Sequence, residues 1–325
     1  MRTAKYLAIA FLFLAGAARA QTPTAPASNS LPFTLKPLGH NVWAAIDDPK
    51  GDAGANAGFV IGDDGVAVID TFENPEAARQ MLTEIRKLTN LPVKFVINTH
   101  YHIDHVAGNE VFQKAGAIVF AQRNVRSWIH TENLKFFGKN IKLEEKSMVE
   151  ALGSPDAVYD SGVTLFLGSR KIDVRVFSGH TGGDSVVFIP DASVVFTGDL
   201  FWRNTLPNLI DATTATWLST LDTITASSPS ATFVPGHGDI GNAADVQAFR
   251  GYLAYLREQV AGTVNDGKTG DALVNAVLPQ LKERYGKWDF FEGFAKPDIV
   301  NTAAEFRGDK KIPQPEASAT TTKAP

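Results

Sequence analysis

The sequence predicts an α/β fold in which strands and helices form layers, followed by an all-helical segment. Three observations carry this prediction. Short apolar runs bounded by turn-forming residues recur between residues 33 and 236. Helical spacing of apolar residues interrupts these runs at 75–88 and 215–224. From residue 243 onward only helical spacing remains, so the chain ends in a helical extension.

The first 20 residues have the composition of a secretory signal peptide. Two basic residues precede an apolar run at 7–15, and an A-x-A cleavage sequence follows at 18–20. The run is too short to cross a bilayer comfortably, and an uncleaved N-terminal anchor is the alternative. We expect residues 1–20 to be removed on export and residues 21–33 to form a flexible linker.

Residues 34–242 carry most of the predicted strands and form the main domain. The segment 65–71, "GVAVIDT", is the clearest strand, because a "DDG" turn signal precedes it. A helix is predicted at 75–88, and a polar helical stretch broken by Gly138 at 123–150. Strands in runs between helices indicate a sheet packed on a sheet. The other strands are predicted near residue 33 and at 41–47, 56–62, 92–98, 117–122, 163–168, 170–177, 184–190, 193–198 and 231–236.

The helical extension is predicted to cover residues 243–306. Apolar residues at helical spacing give it two buried faces. Its segment 287–294, "KWDFFEGF", is aromatic-rich and is expected to pack the extension onto the main domain. An interaction surface is the alternative for that segment. Residues 307–325 are polar, and we predict a disordered tail there.

Composition and charge exclude several classes of function. The chain has no cysteine, which removes disulfides, thiolate nucleophiles and cysteine-bound metals. The leader contains three of the 31 basic residues and no acidic one, so the mature chain carries 28 basic and 35 acidic residues. This acidic balance argues against nucleic acid as a partner. No later segment is long and apolar enough to span a membrane, so we expect no membrane association after leader cleavage.

The segment 97–109, "INTHYHIDHVAGN", concentrates three of the seven histidines. His100 and His102 are two residues apart at the end of a predicted strand, so their imidazoles project to the same side. Asp104 and His105 follow where the chain turns toward a helix. Two pairs of ligands facing one pocket suit two adjacent metal ions better than one. Imidazoles and carboxylates without thiolate favour zinc, and iron and manganese remain open.

Three further candidate ligands follow other predicted strands. His180 comes after the strand at 170–177, Asp199 after the strand at 193–198, and His237 after the last strand. Each has a glycine just before it. Five of the seven histidines are thereby placed at strand ends, whereas His40 and His130 are expected to be surface or structural residues.

The motifs H-Y-H-I-D-H (100–105), G-H-T (179–181), T-G-D (197–199) and G-H-G (236–238) resemble those of the metallo-β-lactamase superfamily. Asp70 in "VIDT" lies upstream, as in that family. The resemblance covers residues 34 to 240 in the family's order and spacing, and it implies an αββα sandwich with a dinuclear site along one edge of the sheets.

By this resemblance, two zinc ions are held by one shared set of side chains. Asp199 bridges them, and Asp70 matches a buried aspartate that orients ligands or the hydroxide. A capping role after the strand is the alternative for Asp70. One zinc is assigned His100, His102 and His180, and the other Asp104, His105 and His237.

The resemblance implies hydrolysis of an amide or ester-type carbonyl by a hydroxide held between the two zinc ions, because bound zinc lowers the pKa of water to about 7. The stretch from 208 to 221 resembles the true zinc β-lactamases and places Asn208 near the attacked carbonyl, where its amide can stabilise an oxyanion. The expected catalytic residues are therefore Asp70, Asp104, Asp199 and Asn208.

Two departures from those β-lactamases keep the substrate open. They have cysteine where this chain has Asp199, and their substrate-binding lysine falls on Trp202, with Arg203 beside it as a substitute. A thioesterase or lactonase of the same fold is one alternative, and a non-catalytic metal-binding partner protein is another. We expect a small-molecule substrate and a periplasmic or secreted location, and the sequence indicates no particular protein partner.

Overall fold

The structure, a computed structural model, describes residues 30–138 and 140–314. The predicted signal peptide (1–20) and most of the predicted linker lie outside the described residues. So do residues 315–325 of the predicted tail. Residues 307–314 of that tail are described, and Lys310 donates hydrogen bonds from Nζ to the carbonyl oxygens of Leu209 (2.6 Å) and Ala212 (2.5 Å).

Twelve strands in the described residues form two mixed sheets. The first sheet has seven strands in chain order: β1 (Phe33–Gly39), β2 (Val42–Asp47), β3 (Ala57–Ile61), β4 (Val66–Ile69), β5 (Val93–Ile97), β6 (Ile118–Gln122) and β7 (Ala157–Tyr159). The second has the spatial order β12-β11-β10-β9-β8, with β8 (Gly162–Leu167), β9 (Arg170–Phe177), β10 (Asp184–Ile189), β11 (Val194–Trp202) and β12 (Thr232–His237).

Helices cover the outer faces of both sheets. They are α1 (Pro75–Leu88), α2 (Ile103–Val106), α3 (Asn109–Lys114), α4 (Arg123–Trp128), α5 (Leu143–Glu150), α6 (Thr214–Ser227), α7 (Ala243–Asn265), α8 (Gly270–Tyr285) and α9 (Phe291–Arg307). Short 3₁₀ helices lie at Glu132–Phe137 and Pro190–Ala192. None of the described helices combines the length and apolar character that crossing a bilayer requires.

Strand β4 shows how sequence alternation builds the layers. Its side chains point alternately to opposite faces of the sheet. Val66 and Val68 pack under α1 and α3, whereas Ala67 and Ile69 face the second sheet. Each apolar residue of this strand is buried, because both faces of the sheet are covered. The αββα sandwich expected from the sequence is therefore present.

Helix α1 begins where the sequence predicts it. Asn74 is the N-cap, and its Oδ1 accepts a hydrogen bond from the Glu76 N–H at 2.8 Å. Pro75 occupies the first turn, where a missing N–H costs nothing. The apolar face of the helix, including Met81 and Ile85, is buried against the first sheet.

The helical extension packs against α6 and the outer face of the second sheet. Phe249, Leu253 and Leu256 of α7 belong to one continuous core with β10, β11 and α9. The extension therefore shares a core with the sandwich. Its last helix also brings aromatic residues to the edge of the sheets where the candidate ligands lie.

Candidate metal centre

The histidine segment leaves β5 at the edge of the first sheet. A buried amide pair holds its shape, because Asn98 Nδ2 donates to Asn109 Oδ1 at 2.9 Å and Asn109 Nδ2 donates back to Asn98 Oδ1 at 2.8 Å. His102 is the N-cap of α2, so Asp104 and His105 lie in its first turn. Extended backbone followed at once by helix thus turns all four candidate side chains toward the second sheet.

The second sheet supplies the other three ligands. His180 follows β9, as expected. Asp199 was expected just after a strand, but it lies inside β11, since pairing with β12 continues past a register shift at Gly198 to Trp202 and His237. His237 is likewise the last residue of β12. Packing requires a glycine before His237, because a Cβ at Gly236 would lie 1.8 Å from Asp199 Oδ1.

The structure brings all seven predicted ligands together in two groups that share Asp199. In each group, ligand atoms lie within 4.8 Å of one another. Asp199 Oδ2 lies 3.2 Å from His180 Nε2 and 3.7 Å from His100 Nε2. Asp199 Oδ1 lies 3.0 Å from His105 Nε2 and 3.4 Å from His237 Nε2. The first group is His100, His102, His180 and Asp199; the second is Asp104, His105, Asp199 and His237.

Several atoms at the centre of these groups are buried without a hydrogen-bond partner. They are the Nε2 atoms of His100, His105 and His237, together with Asp199 Oδ1. An unpaired buried polar atom costs about 1–3 kcal/mol, so four of them converging on one space need an explanation. Cations bound between them would supply the missing partners. The donor set of nitrogen and carboxylate oxygen therefore fits a pair of divalent metal ions.

Two buried aspartates orient ligand histidines from behind. Asp70 Oδ2 lies 2.9 Å from His105 Nδ1, and the same carboxylate accepts hydrogen bonds from Thr99 N (2.8 Å) and Oγ1 (2.7 Å). Asp211 Oδ2 lies 3.3 Å from His102 Nε2. A carboxylate that accepts a hydrogen bond from one ring N–H leaves the other nitrogen free for a metal.

Asp211 is part of a wider buried network. It also accepts a hydrogen bond from Tyr101 Oη and lies 2.5 Å from Lys135 Nζ. Lys135 Nζ in turn donates to Tyr101 Oη at 3.0 Å. The 3₁₀ helix that carries Lys135 is thereby tied to the ligand His102.

Asp184 shapes the loop that presents His180. Its carboxylate accepts hydrogen bonds from the backbone N–H groups of His180 (3.0 Å) and Thr181 (2.9 Å). Burial raises the pKa of Asp184 to about 6. This aspartate is only four residues after His180, but its role depends on loop geometry that sequence spacing does not reveal.

Opposite charges around the two groups shift several pKa values. Burial raises the pKa of Asp199, but His237, His105 and the neighbouring histidines outweigh burial and hold the pKa well below its ordinary value. Burial lowers the pKa of His237, but Asp199 and Asp104 outweigh it and raise the pKa to about 9. For His100, burial dominates and lowers the pKa well below its ordinary value. Ionised carboxylates beside a neutral imidazole are the state in which these groups bind cations.

A cleft of about 380 Å³ opens onto both groups. Its floor includes His102, Asp104, Asp199 and His237. Glu73 and Glu145 line the same cleft, as do five aromatic residues: Phe136, Phe137, Trp202, Phe290 and Phe294. From the sequence, only a packing or interaction role was expected for the segment that holds Phe290 and Phe294. These two residues instead form part of the cleft wall.

Asn208, the expected carbonyl-side residue, also lines the cleft. Its Oδ1 accepts a hydrogen bond from Ile210 N at 3.0 Å, which leaves the Nδ2 amide as its available donor. Trp202 stacks on His237 with ring centroids 3.9 Å apart and donates from Nε1 to the Asp199 carbonyl at 2.9 Å. Arg203 is not among the described lining residues; its Nε lies 3.2 Å from Asp245 Oδ1.

Sequence reasoning missed Glu73, Glu145 and Asp211 as residues of this region. Asp211 stands in "NLIDATT", which has no periodic pattern, and it is 109 residues from His102. Glu73 lies only three residues after Asp70, and this proximity to a motif residue was the one available signal.

Comparison with known proteins places the chain in a family. The sequence model described as "Metallo-beta-lactamase superfamily" matches residues 51–237, which is more than half of the chain. The chain belongs to the metallo-β-lactamase superfamily. All seven candidate ligands fall within or at the end of the matched range.

Curated relatives within the superfamily include proteins with different named activities. A linear primary-alkylsulfatase from a Pseudomonas species is 24% identical over 272 residues, which cover 69% of this chain and 51% of that protein. A hydroxyacylglutathione hydrolase from Brucella ovis is 29% identical over 183 residues, which cover 56% of this chain and 62% of that protein. The chain thus spans between half and two thirds of the length of these relatives.

Solved structures share the superfamily fold. A metallo-β-lactamase from Pontibacter korlensis aligns with a TM-score of 0.57 at 23% identity, over 68% of this chain and 99% of that one. The structure of VMB-1 aligns with a TM-score of 0.56 at 21% identity, over 70% of this chain and 98% of that one. At these identities the alignments establish the fold of the sandwich alone.

Proposed function

We propose that this protein is an exported dinuclear zinc hydrolase that cleaves an amide or ester-type carbonyl compound, a class that includes thioesters and lactones. The observation that carries the proposal is the pair of ligand groups that share Asp199, with unpartnered buried nitrogens and oxygen facing one another. Superfamily membership and the name of the Brucella relative, hydroxyacylglutathione hydrolase, support the reaction class.

The chain's own residues prepare the centre for this reaction. Asp70 accepts a hydrogen bond from Nδ1 of His105, so the Nε2 atom of that ring faces the second group. Asp211 accepts a hydrogen bond from Nε2 of His102, so the Nδ1 atom of that ring faces the first group. Asp199 directs one carboxylate oxygen toward each group. Two zinc ions, when bound there, supply a water acidic enough to act as nucleophile at neutral pH and polarise the substrate carbonyl.

The cleft supplies substrate contacts around that centre. Asn208 offers an amide donor on the wall, where charge on a carbonyl oxygen would develop during attack. Asp104 is the most exposed of the described ligands, with its side chain 24% exposed, so the second group faces the substrate side.

Metal analysis combined with turnover tests the proposal. Zinc-loaded protein is assayed with nitrocefin, a lactone and a thioester, before and after exhaustive chelation. We expect about two zinc ions per chain and hydrolysis that chelation removes and zinc restores. His102→Ala should lose zinc and turnover together, whereas His40→Gln, at an exposed position outside the centre, should retain both. Full metal content without turnover of any substrate would favour the metal-binding alternative.

The proposal also includes the location. The signal-like leader supports export, after which the mature chain would begin near Gln21. Cell fractionation and N-terminal sequencing of the protein expressed with its leader test this directly. Retention in the membrane fraction with the leader intact would contradict it.

A further inference from the structure

The walls of the cleft are aromatic and come from three separate parts of the chain. The 3₁₀ helix Glu132–Phe137 supplies Phe136, whose ring meets that of His102 edge to face with centroids 5.0 Å apart. Trp202 comes from the end of β11, and Phe294 of α9 lies edge to face with it at 6.3 Å. Such walls favour apolar groups, because burying apolar surface is favourable and aromatic faces also attract cations.

Two glutamates, Glu73 and Glu145, line the same cleft as these aromatic rings. Glu73 lies against the backbone of Gly54, where a Cβ would come within 2.5 Å of Glu73 Oε2 and where φ is +84°. A glycine at 54 therefore leaves the space that this carboxylate occupies. Glu145 accepts a hydrogen bond from Lys142 N at 2.8 Å as part of the cap of α5. Among the described residues, neither carboxylate forms an ion pair with a lysine or arginine, and Glu73 has no hydrogen bond to its side chain.

The nearby lysine and arginine side chains among the described residues are engaged elsewhere. Lys135 Nζ is held between Asp211 and Tyr101, and Arg203 is paired with Asp245. The described residues that line the cleft contain no lysine or arginine. Lys139 lies outside the described residues. An anionic substrate group placed among the aromatic rings would therefore meet two glutamates and no lysine or arginine of the described lining.

We infer that the cleft selects apolar carbonyl compounds that carry no anionic group, and that Glu73, with Glu145, imposes this selection. The inference rests on the proposed function for its reaction and names the substrate class of that site. Specificity of this kind comes from repulsion, because an unpaired negative charge in the cleft weakens the binding of an anionic ligand more than that of a neutral one. Neutral esters, thioesters and lactones with aliphatic or aromatic groups fit this class, and β-lactams that carry a ring carboxylate do not.

Matched esters test the inference by turnover. The zinc-loaded full-length protein is assayed with 4-nitrophenyl hexanoate, which is neutral, and with the mono-4-nitrophenyl ester of adipic acid, which has a similar chain and a terminal carboxylate. We expect kcat/KM to be at least about 10-fold higher for the neutral ester. Glu73→Gln keeps the shape of the side chain and should reduce this ratio to within about 3-fold.

Two further variants make the comparison specific. Glu145→Gln retains an oxygen for the cap of α5 and should lower the same ratio by a smaller factor. Glu150→Gln, on the same helix with a side chain 60% exposed and outside the cleft, should leave the ratio unchanged. Equal or faster turnover of the anionic ester, or a ratio that Glu73→Gln does not move, would overturn the inference.

Binding without turnover separates this inference from the proposed function. Isothermal titration of the zinc-loaded protein compares benzyltrimethylammonium with phenylmethanesulfonate, which share an aromatic part and differ in charge. We expect at least about 10-fold tighter binding of the cation, reduced to about 3-fold or less in Glu73→Gln. Tighter binding of the sulfonate, or no binding of either probe, contradicts the inference. The expected preference in a protein that hydrolyses none of the esters would support the selectivity and count against the proposed reaction.

Discussion

Asp199 in the sandwich and Asp298 in the helical extension are both almost wholly buried, at 3% and 0% exposure, yet their surroundings differ. Four histidine Nε2 atoms lie within 3.7 Å of the Asp199 carboxylate. Asp298 Oδ2 accepts one hydrogen bond, from Tyr252 Oη at 2.5 Å. Histidines outweigh burial and hold the pKa of Asp199 well below its ordinary value, whereas burial dominates and raises the pKa of Asp298 well above it.

The contrast shows that depth of burial does not make a functional site. Both carboxylates have an Oδ1 atom without a hydrogen-bond partner. Around Asp199, that atom faces other unpartnered ligand atoms, so a cation can complete all of them at once. In the extension, Asp298 is buried beside core residues such as Ala295 and Ile299, and burial raises its pKa well above the ordinary value.

The largest effect on metal content and activity is expected from a substitution at Asp199. Asp199→Asn removes the charge and one of the oxygens that face the two ligand groups, so we expect loss of bound zinc and a fall in kcat/KM of about 10³-fold or more, since several kcal/mol of stabilisation are lost. Elemental analysis and ester turnover measure the two effects. A variant that retained both zinc ions and activity would show that Asp199 does not hold the centre together.

The orienting aspartates should give intermediate effects that distinguish the two ligand groups. Asp70→Asn should weaken zinc binding in the group of His105, and Asp211→Asn in the group of His102, each by about 10- to 100-fold. Competition with a chromophoric chelator measures the two affinities. Asp160→Asn, at an exposed position paired with Arg123, is the control and should not change either. Equal weakening of both groups in each variant would contradict separate orienting roles.

Each ligand could be predicted from sequence because the motif that carries it is local. The H-x-H-x-D-H spacing combines a strand end with the first turn of a helix, and His180 follows a strand recognised by its alternation. The exact strand end was wrong for β11, because pairing with β12 extends it to Trp202. Strand β7 was missed, since its three residues are too few to show a period.

The cleft walls and the network around Asp211 could not be predicted in this way, whereas the orienting role of Asp70 was expected. Asp211 meets His102 only after the sheets pack, and no spacing rule connects them. Phe290 takes a left-handed conformation at φ +61° as the N-cap of α9 and lines the cleft with Phe294. Tertiary packing, rather than helical periodicity, therefore decides that part of the aromatic segment joins the site.

The extension contributes aromatic residues to the cleft of the sandwich, so a substitution there should have a moderate effect on substrate binding. Phe294→Ala should raise KM for an apolar ester about 10-fold with little change in kcat, because about 1–2 kcal/mol of apolar contact is lost for substrate and transition state alike. Phe306→Ala, on the same helix at a 39% exposed position, is the control. An unchanged KM would show that substrate does not reach the extension.

The smallest effect on activity is expected from Asp298→Asn, which should act on stability instead. The native pKa of Asp298 lies above its unfolded value, so the native state binds the proton more tightly and loses stability as pH rises from about 4 through the native pKa. Asparagine cannot ionise, so the variant should gain stability relative to the parent as pH rises, by about 1.4 kcal/mol for each unit of raised pKa.

Urea unfolding of the zinc-loaded parent and variant at pH 5 and pH 8 measures this difference. The acceptor for Tyr252 is retained in Asp298→Asn, and Lys310 is the charged group that opposes the rise in pKa. kcat/KM should not change, because Asp298 touches no part of the cleft. A free-energy difference independent of pH would mean that Asp298 is ionised in the native state. The carboxylate would then need a buried counter-charge, and the distinction between the two aspartates would fail.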